Sequence, residues 1–180
     1  LLVPIASTDA VAKINSAYNL DSSPQTRAAR LIETVEQHFG IGLQHFVEVD
    51  LDGFRRLVDA VGGVSICFNR PTRDRTIQDS GDPTQGGTGF WENKGWTHLD
   101  GEAALAFVRS RRLLAQQDDG EWVRLGVWND LERNSRQQRF IFEAMDQALD
   151  RAVGNPRTLR RLLDIVSNHL RTSNTLSVFD

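Results

Sequence analysis

The sequence predicts an α/β domain in which a central mixed sheet is flanked by helices. Three observations carry this. Residues 24–39 repeat apolar side chains at helical spacing (Ala28, Leu31, Ile32, Val35, Phe39), with Gly40 placed to cap the helix. Residues 43–69 alternate element types. A strand over 43–50 precedes a helix over 51–61, through Phe54, Leu57, Val58 and Val61. Gly62-Gly63 stops that helix, and a second strand covers 64–69. Two amphipathic helices close the pattern, at 130–152 and 156–170, with Pro156 at the first helical position. Helix and strand in succession make a layered domain.

The 180 residues suffice for one domain with a sizeable core, spanning 1–180. A net charge of −3 gives no global basic field, so nucleic acid is not an expected partner. No apolar run is long enough to span a bilayer. The first residues, Leu1 to Ile5, read as the end of a strand in a chain cut from something longer. Cys67 is the single cysteine and sits in the apolar run Val64–Phe68, where a buried structural thiol is expected. The glycine-rich stretch 70–98 and the stretch 112–129, with Trp122 and Trp128, read as long polar loops.

Three short segments hold candidate chemistry. In Phe107-Val108-Arg109-Ser110-Arg111-Arg112, an extended backbone would project Arg109 and Arg111 from one side, where two guanidiniums can grip phosphates. In Asp130–Gln138, helical spacing puts Asp130, Arg133 and Gln137 on one face. There Asp130 could orient an arginine or act as a base. In Lys13–Tyr18, Lys13 and Asn15 would share a strand face. Taken singly, an exposed basic turn, a solvated first helical turn and a surface strand explain these segments. The four histidines are scattered without ligand spacing, and no GxSxG, P-loop or GxGxxG motif occurs.

Together and in order, these segments resemble the LytR–CpsA–Psr family. Lys13-Ile14-Asn15-Ser16-Ala17-Tyr18 is similar to the family's KINAAY element, and Leu57–Val64 to LVDALGGV. Leu99–Arg111 follows LDGEQALAYVRSR, and Asp130–Gln138 matches DxxRxxRQQ. The resemblance is strongest over 11–150 and corresponds to the C-terminal two-thirds of the family's domain.

The resemblance implies an extracytoplasmic enzyme, anchored to the cell membrane by an N-terminal segment absent from this chain. It would move a glycopolymer from an undecaprenyl-pyrophosphate carrier to peptidoglycan through a phosphodiester. Arg109, Arg111, Arg133, Arg136 and Gln137 would bind the pyrophosphate, with Lys13 near it. Asp130 would orient arginines or assist proton transfer. The polyprenyl chain would occupy an apolar tunnel, with Val35, Phe39, Phe46, Val49, Phe54 and Leu57 as candidate lining. Mg2+ or Mn2+ is the implied cofactor, its aspartate ligands expected in elements upstream of Lys13. Some family members pair a cysteine near position 67 with one just before LDG, where this chain has Trp96. The alternative reading is a non-catalytic module that binds polyprenyl pyrophosphate or wall glycan.

Overall fold

The computed structural model describes residues 2–20, 23–82, 84, 86–125, 130–152 and 155–172. Of residues 24, 25, 130–132, 152 and 166 it describes the backbone only. The chain divides into two compact units. One runs over Leu1–Glu48 and resumes at Arg171, and the other is Val49–Leu170.

In the first unit, β1 (Leu2–Pro4) and β2 (Val11–Lys13) pair antiparallel. Lys13 ends β2, and a 3₁₀ segment, Ile14–Asn19, follows where the sequence reading continues a strand. Helix α1 (Pro24–Phe39) has the expected bounds, with Ser23 accepting the Thr26 N–H at its start and Gly40 in the left-handed conformation at its end. Val3, Ile5 and Ala17 form a small core, against which Leu31 of α1 packs. Thr34 is buried beside it, but its hydroxyl is satisfied: it accepts from Ala6 N–H at 3.1 Å and donates to the Arg30 carbonyl at 2.7 Å. The strand expected over 43–50 is reduced to β3 (Val47–Val49), which pairs with β10 (Leu170–Thr172).

The second unit is organised around α2 (Leu51–Ala60), α4 (Gly101–Arg109) and α5 (Asp130–Ala152). Strand β4 (Val64–Phe68) pairs antiparallel with β7 (Gly95–Leu99). A second sheet has the order β6-β5-β8-β9, all antiparallel: β6 (Trp91–Glu92), β5 (Thr72–Asp74), β8 (Leu113–Gln116) and β9 (Trp122–Arg124). The stretches read as loops therefore carry strands, and α3 (Ile77–Ser80) besides. The α/β class is as the sequence predicts. Among the described residues its strands, each two to five residues long, are dealt among four small sheets rather than one central one.

Phe54, Phe68, Phe90, Phe107 and Phe140 form a chain of ring contacts through this unit's core. Motif glycines let its helices close on that core. A Cβ at Gly101 would meet Arg55 Cα of α2 at 2.8 Å, so only glycine lets α4 approach α2 this closely. Gly101 N–H then donates to Asp59 at 2.7 Å, and Asp100 caps the helix by accepting the Ala103 N–H. Gly63 has φ 76° and lies against the Leu99 carbonyl.

Helix α5 has the predicted bounds, but its inward side is partly polar. Phe140 and Ala144 enter the core, while Gln147 pairs with both backbone groups of Ser65 and Arg151 donates to the carbonyls of Val61, Gly62 and Gly63. Ile141, Phe142, Met145 and Leu149 stay exposed, as do Leu159 and Leu163 of α6 (Pro156–His169), both read as inward from the sequence. No helix among the described residues is long and apolar enough to cross a membrane.

Candidate functional site

Helix α4 ends at Ser110, where the backbone turns out of the helix with ψ 133°. Arg109 is thus the last helical residue, and the extended backbone expected for the Arg109–Arg111 pair begins only after it. The outcome still exposes both arginines, since the intervening Ser110 is fully buried. A cation in the last turn also suits the helix dipole.

The last carbonyls of a helix lack partners within it. Here α5 supplies them. Gln137 Nε2 donates to the Val108 carbonyl at 3.0 Å, and the Arg136 guanidinium donates to the Ser110 carbonyl. Arg136 also lies over the Phe107 ring, 5.5 Å from its centroid. The two arginine-bearing motifs are thereby fastened to each other. Half-buried Arg133 precedes Gln137 on the same helical face by one turn, about 5.4 Å along the axis. Asp130 begins α5, and its side chain lies outside the described residues. Lys13 is exposed in the first unit.

Beside this junction is a cavity of about 700 Å³. Ile66, Phe68, Phe107, Leu113, Val123 and Phe140 give it an apolar body, and Arg70, Arg124, Arg136 and Arg139 add cationic groups to its wall. Such a volume is of the order of ligand sites, about 300–1,000 Å³. None of the six residues considered as tunnel lining contributes. Phe54 packs on Phe140 at 5.8 Å inside the core, and Val35, Phe39 and Phe46 belong to the first unit. The sequence reading also missed Arg139. Its position three residues after Arg136 on α5 is the signal that could have found it.

Cys67 is exposed and touches the same cavity, against the expectation of a buried thiol. Strand β4 turns Val64 and Phe68 to the core and Cys67 the other way. Its pairing partner in β7 is Trp96. Among the described residues no group of three or more His, Cys, Asp or Glu could hold a metal ion.

The family model described as the LytR_cpsA_psr family matches residues 1–179. A polyisoprenyl-teichoic acid–peptidoglycan teichoic acid transferase TagU of Oceanobacillus iheyensis is 30% identical over 161 residues, which are 89% of this chain and 42% of that protein. The cell wall biosynthesis protein LcpA of Corynebacterium glutamicum is 31% identical over 86% of the chain and 26% of its own length. The solved LytR-Csp2A-Psr enzyme of Actinomyces oris superposes with a TM-score of 0.64 at 23% identity, over all of this chain and 60% of that one, which speaks for the fold alone. The chain therefore spans less than half the length of these two relatives.

Proposed function

Because the chain belongs to the LytR–CpsA–Psr family, we propose that it serves in transferring a glycopolymer from a polyprenyl-pyrophosphate carrier to peptidoglycan. The observation that carries this reading is the sharing of Arg136. The same side chain holds the Ser110 carbonyl between the two exposed arginines and lines the apolar cavity. An apolar cavity with a cationic wall suits a ligand with a hydrocarbon tail and an anionic head. The names of the relatives, which join a polyisoprenyl carrier to peptidoglycan, support the same substrate class.

In this reading Arg109, Arg111 and Arg133 bind the pyrophosphate, and Lys13 joins them by resemblance alone. Arg136 and Gln137 contribute chiefly by positioning, since both already donate to the Val108–Ser110 backbone. A sugar hydroxyl oxygen of the acceptor bonds to the glycan-side phosphorus. The bond from that phosphorus to the bridging oxygen breaks, and polyprenyl phosphate leaves. Asp130 takes the hydroxyl proton or orients the arginines. Phosphoryl transfer of this kind depends on positioning and charge stabilisation more than on covalent help. The same reading places the site outside the cytoplasmic membrane, where carrier and wall meet. Anchoring by an N-terminal segment is part of it, on the family resemblance.

The test is calorimetry on the purified chain with farnesyl pyrophosphate, farnesol and inorganic pyrophosphate. Farnesyl pyrophosphate should bind at least about tenfold tighter than either part, a difference of roughly 1.4 kcal/mol. Equal affinity for inorganic pyrophosphate would remove the cavity from the proposal. The alternative is a module that holds polyprenyl pyrophosphate or wall glycan without turnover. A transfer assay with and without Mn2+ separates the two.

A further inference from the structure

Helix α5 shows the cavity two adjacent rows of side chains. Arg136 and Phe140 make one, and Ser135, Arg139 and Glu143, each one turn from the next, make the other. The first row is committed to the protein itself. Arg136 donates to the Ser110 carbonyl, and Phe140 is 2% exposed in the core. Cations on the other walls are engaged too: Arg70 donates to Gln117, and Arg124 has a contact of its own. Arg139 and Glu143 differ. Both are exposed, both line the cavity, and neither has a hydrogen-bond or ion-pair partner among the described residues. They do not pair even with each other, although they stand one helical turn apart. Arginine ahead of glutamate is the less favourable order for such a pair.

We propose that Arg139 and Glu143 select the head group of the cavity's ligand. Arg139 takes a phosphate of the carrier, and Glu143 accepts hydrogen bonds from hydroxyls of the first sugar attached to it, so glycan-bearing carrier is preferred to bare carrier. This rests on the functional reading above and adds to it the recognition of the glycan end. A guanidinium with its donors available matches a phosphate. A carboxylate one turn away is wrong for phosphate alone, because like charges repel. It becomes favourable when the ligand brings hydrogen-bond donors to it, since an ionised carboxylate only accepts. A sugar esterified to that phosphate does so. Its hydroxyls lie within one ring of the phosphorus, a span that side chains with Cβ atoms about 5–6 Å apart can bridge. The polyprenyl phosphate left after transfer brings only anionic oxygens to Glu143. One carboxylate thus separates substrate from product, by repelling the second as well as by binding the first.

The test is calorimetry on the whole chain with farnesyl pyrophosphate and farnesyl pyrophosphoryl-N-acetylglucosamine. Dihexanoyl phosphatidylethanolamine is run in parallel, because its ammonium group is another donor for Glu143. The unsubstituted chain should bind the glycosylated ligand about tenfold tighter than farnesyl pyrophosphate. Glu143→Ala should remove most of that preference and bind farnesyl pyrophosphate about threefold tighter, as a repelling surface charge is lost. That gain also shows the variant to be folded. Arg139→Gln should weaken both farnesyl ligands about tenfold. Equal affinity of the unsubstituted chain for the two, a preference that Glu143→Ala leaves intact, or indifference to Arg139→Gln would overturn the selector while the functional reading stands. So would Glu143-dependent binding of the phosphatidylethanolamine tighter than that of the glycosylated ligand. Failure to bind either farnesyl ligand would instead sink the functional reading, and the selector with it.

Discussion

Gln137 reaches from α5 to the carbonyl of Val108 at 3.0 Å and so closes the end of α4. Replacing it with leucine leaves that carbonyl without its partner, a loss of about 1–3 kcal/mol for a buried group. For a chain of this size each kcal/mol lowers Tm by about 2–4 °C. Differential scanning calorimetry of Gln137→Leu should show a fall on that scale, and farnesyl pyrophosphate binding should weaken alongside. An unchanged Tm would mean that the contact does not hold the motif.

Arg136 should not tolerate lysine. An ammonium lacks the planar fork that reaches the Ser110 carbonyl while lying over Phe107. Arg136→Lys should lose about tenfold in farnesyl pyrophosphate affinity, roughly 1.4 kcal/mol, although the charge is kept. Titration of the two proteins side by side decides it, and equal affinities would assign Arg136 a purely coulombic part.

Gly101→Ala should destabilise more than any exposed substitution. Its Cβ would press on the Arg55 backbone of α2, so the helices must separate or α4 must shift. Overpacking of this kind costs about 1–3 kcal/mol. Gly42→Ala, which would meet only a flexible side chain at 3.5 Å, is the control. Urea midpoints for the two variants should differ clearly.

Tyr18 is the single tyrosine, so absorbance near the phenolate band reports on it alone. Its hydroxyl donates to Glu48, and that hydrogen bond, followed by burial, raises its pKa above the ordinary value of about 10. A raised pKa in the folded state means that the neutral form is favoured by folding. The stabilisation is complete below the ordinary tyrosine pKa and is lost as pH rises through the folded one. The native chain should therefore ionise Tyr18 at higher pH than the urea-unfolded chain, and Tyr18→Phe should flatten the alkaline fall in stability. Coincident titration curves would deny the coupling to Glu48.

What the sequence disclosed followed element length. The spans of α1 and α5 were legible because many apolar residues repeat along each. Strands such as Thr72-Arg73-Asp74 and Trp91-Glu92 were not, since neither carries an alternating pattern long enough to read; their partners in β8 define them. The packed side of α5 was only partly legible. Its apolar stripe suggests Ile141, Met145 and Leu149 as inward, yet Arg136, Gln137, Gln147 and Arg151 bind backbone carbonyls instead. Periodicity reports hydrophobic faces and is blind to side chains that satisfy another segment's carbonyls. For the same reason, resemblance singled out Arg136 and Gln137 without revealing that they fasten one motif to the other.

The chain has one thiol and one thioether, Cys67 and Met145, and both are at the surface. The first touches the cavity, and the second sits on the outer stripe of α5. A maleimide dye therefore marks a single address whose emission answers to whatever enters the cavity. Mild peroxide adds one oxygen to Met145 and turns an apolar patch polar. Mass spectrometry then reads the accessibility of both sites from the same unmutated protein.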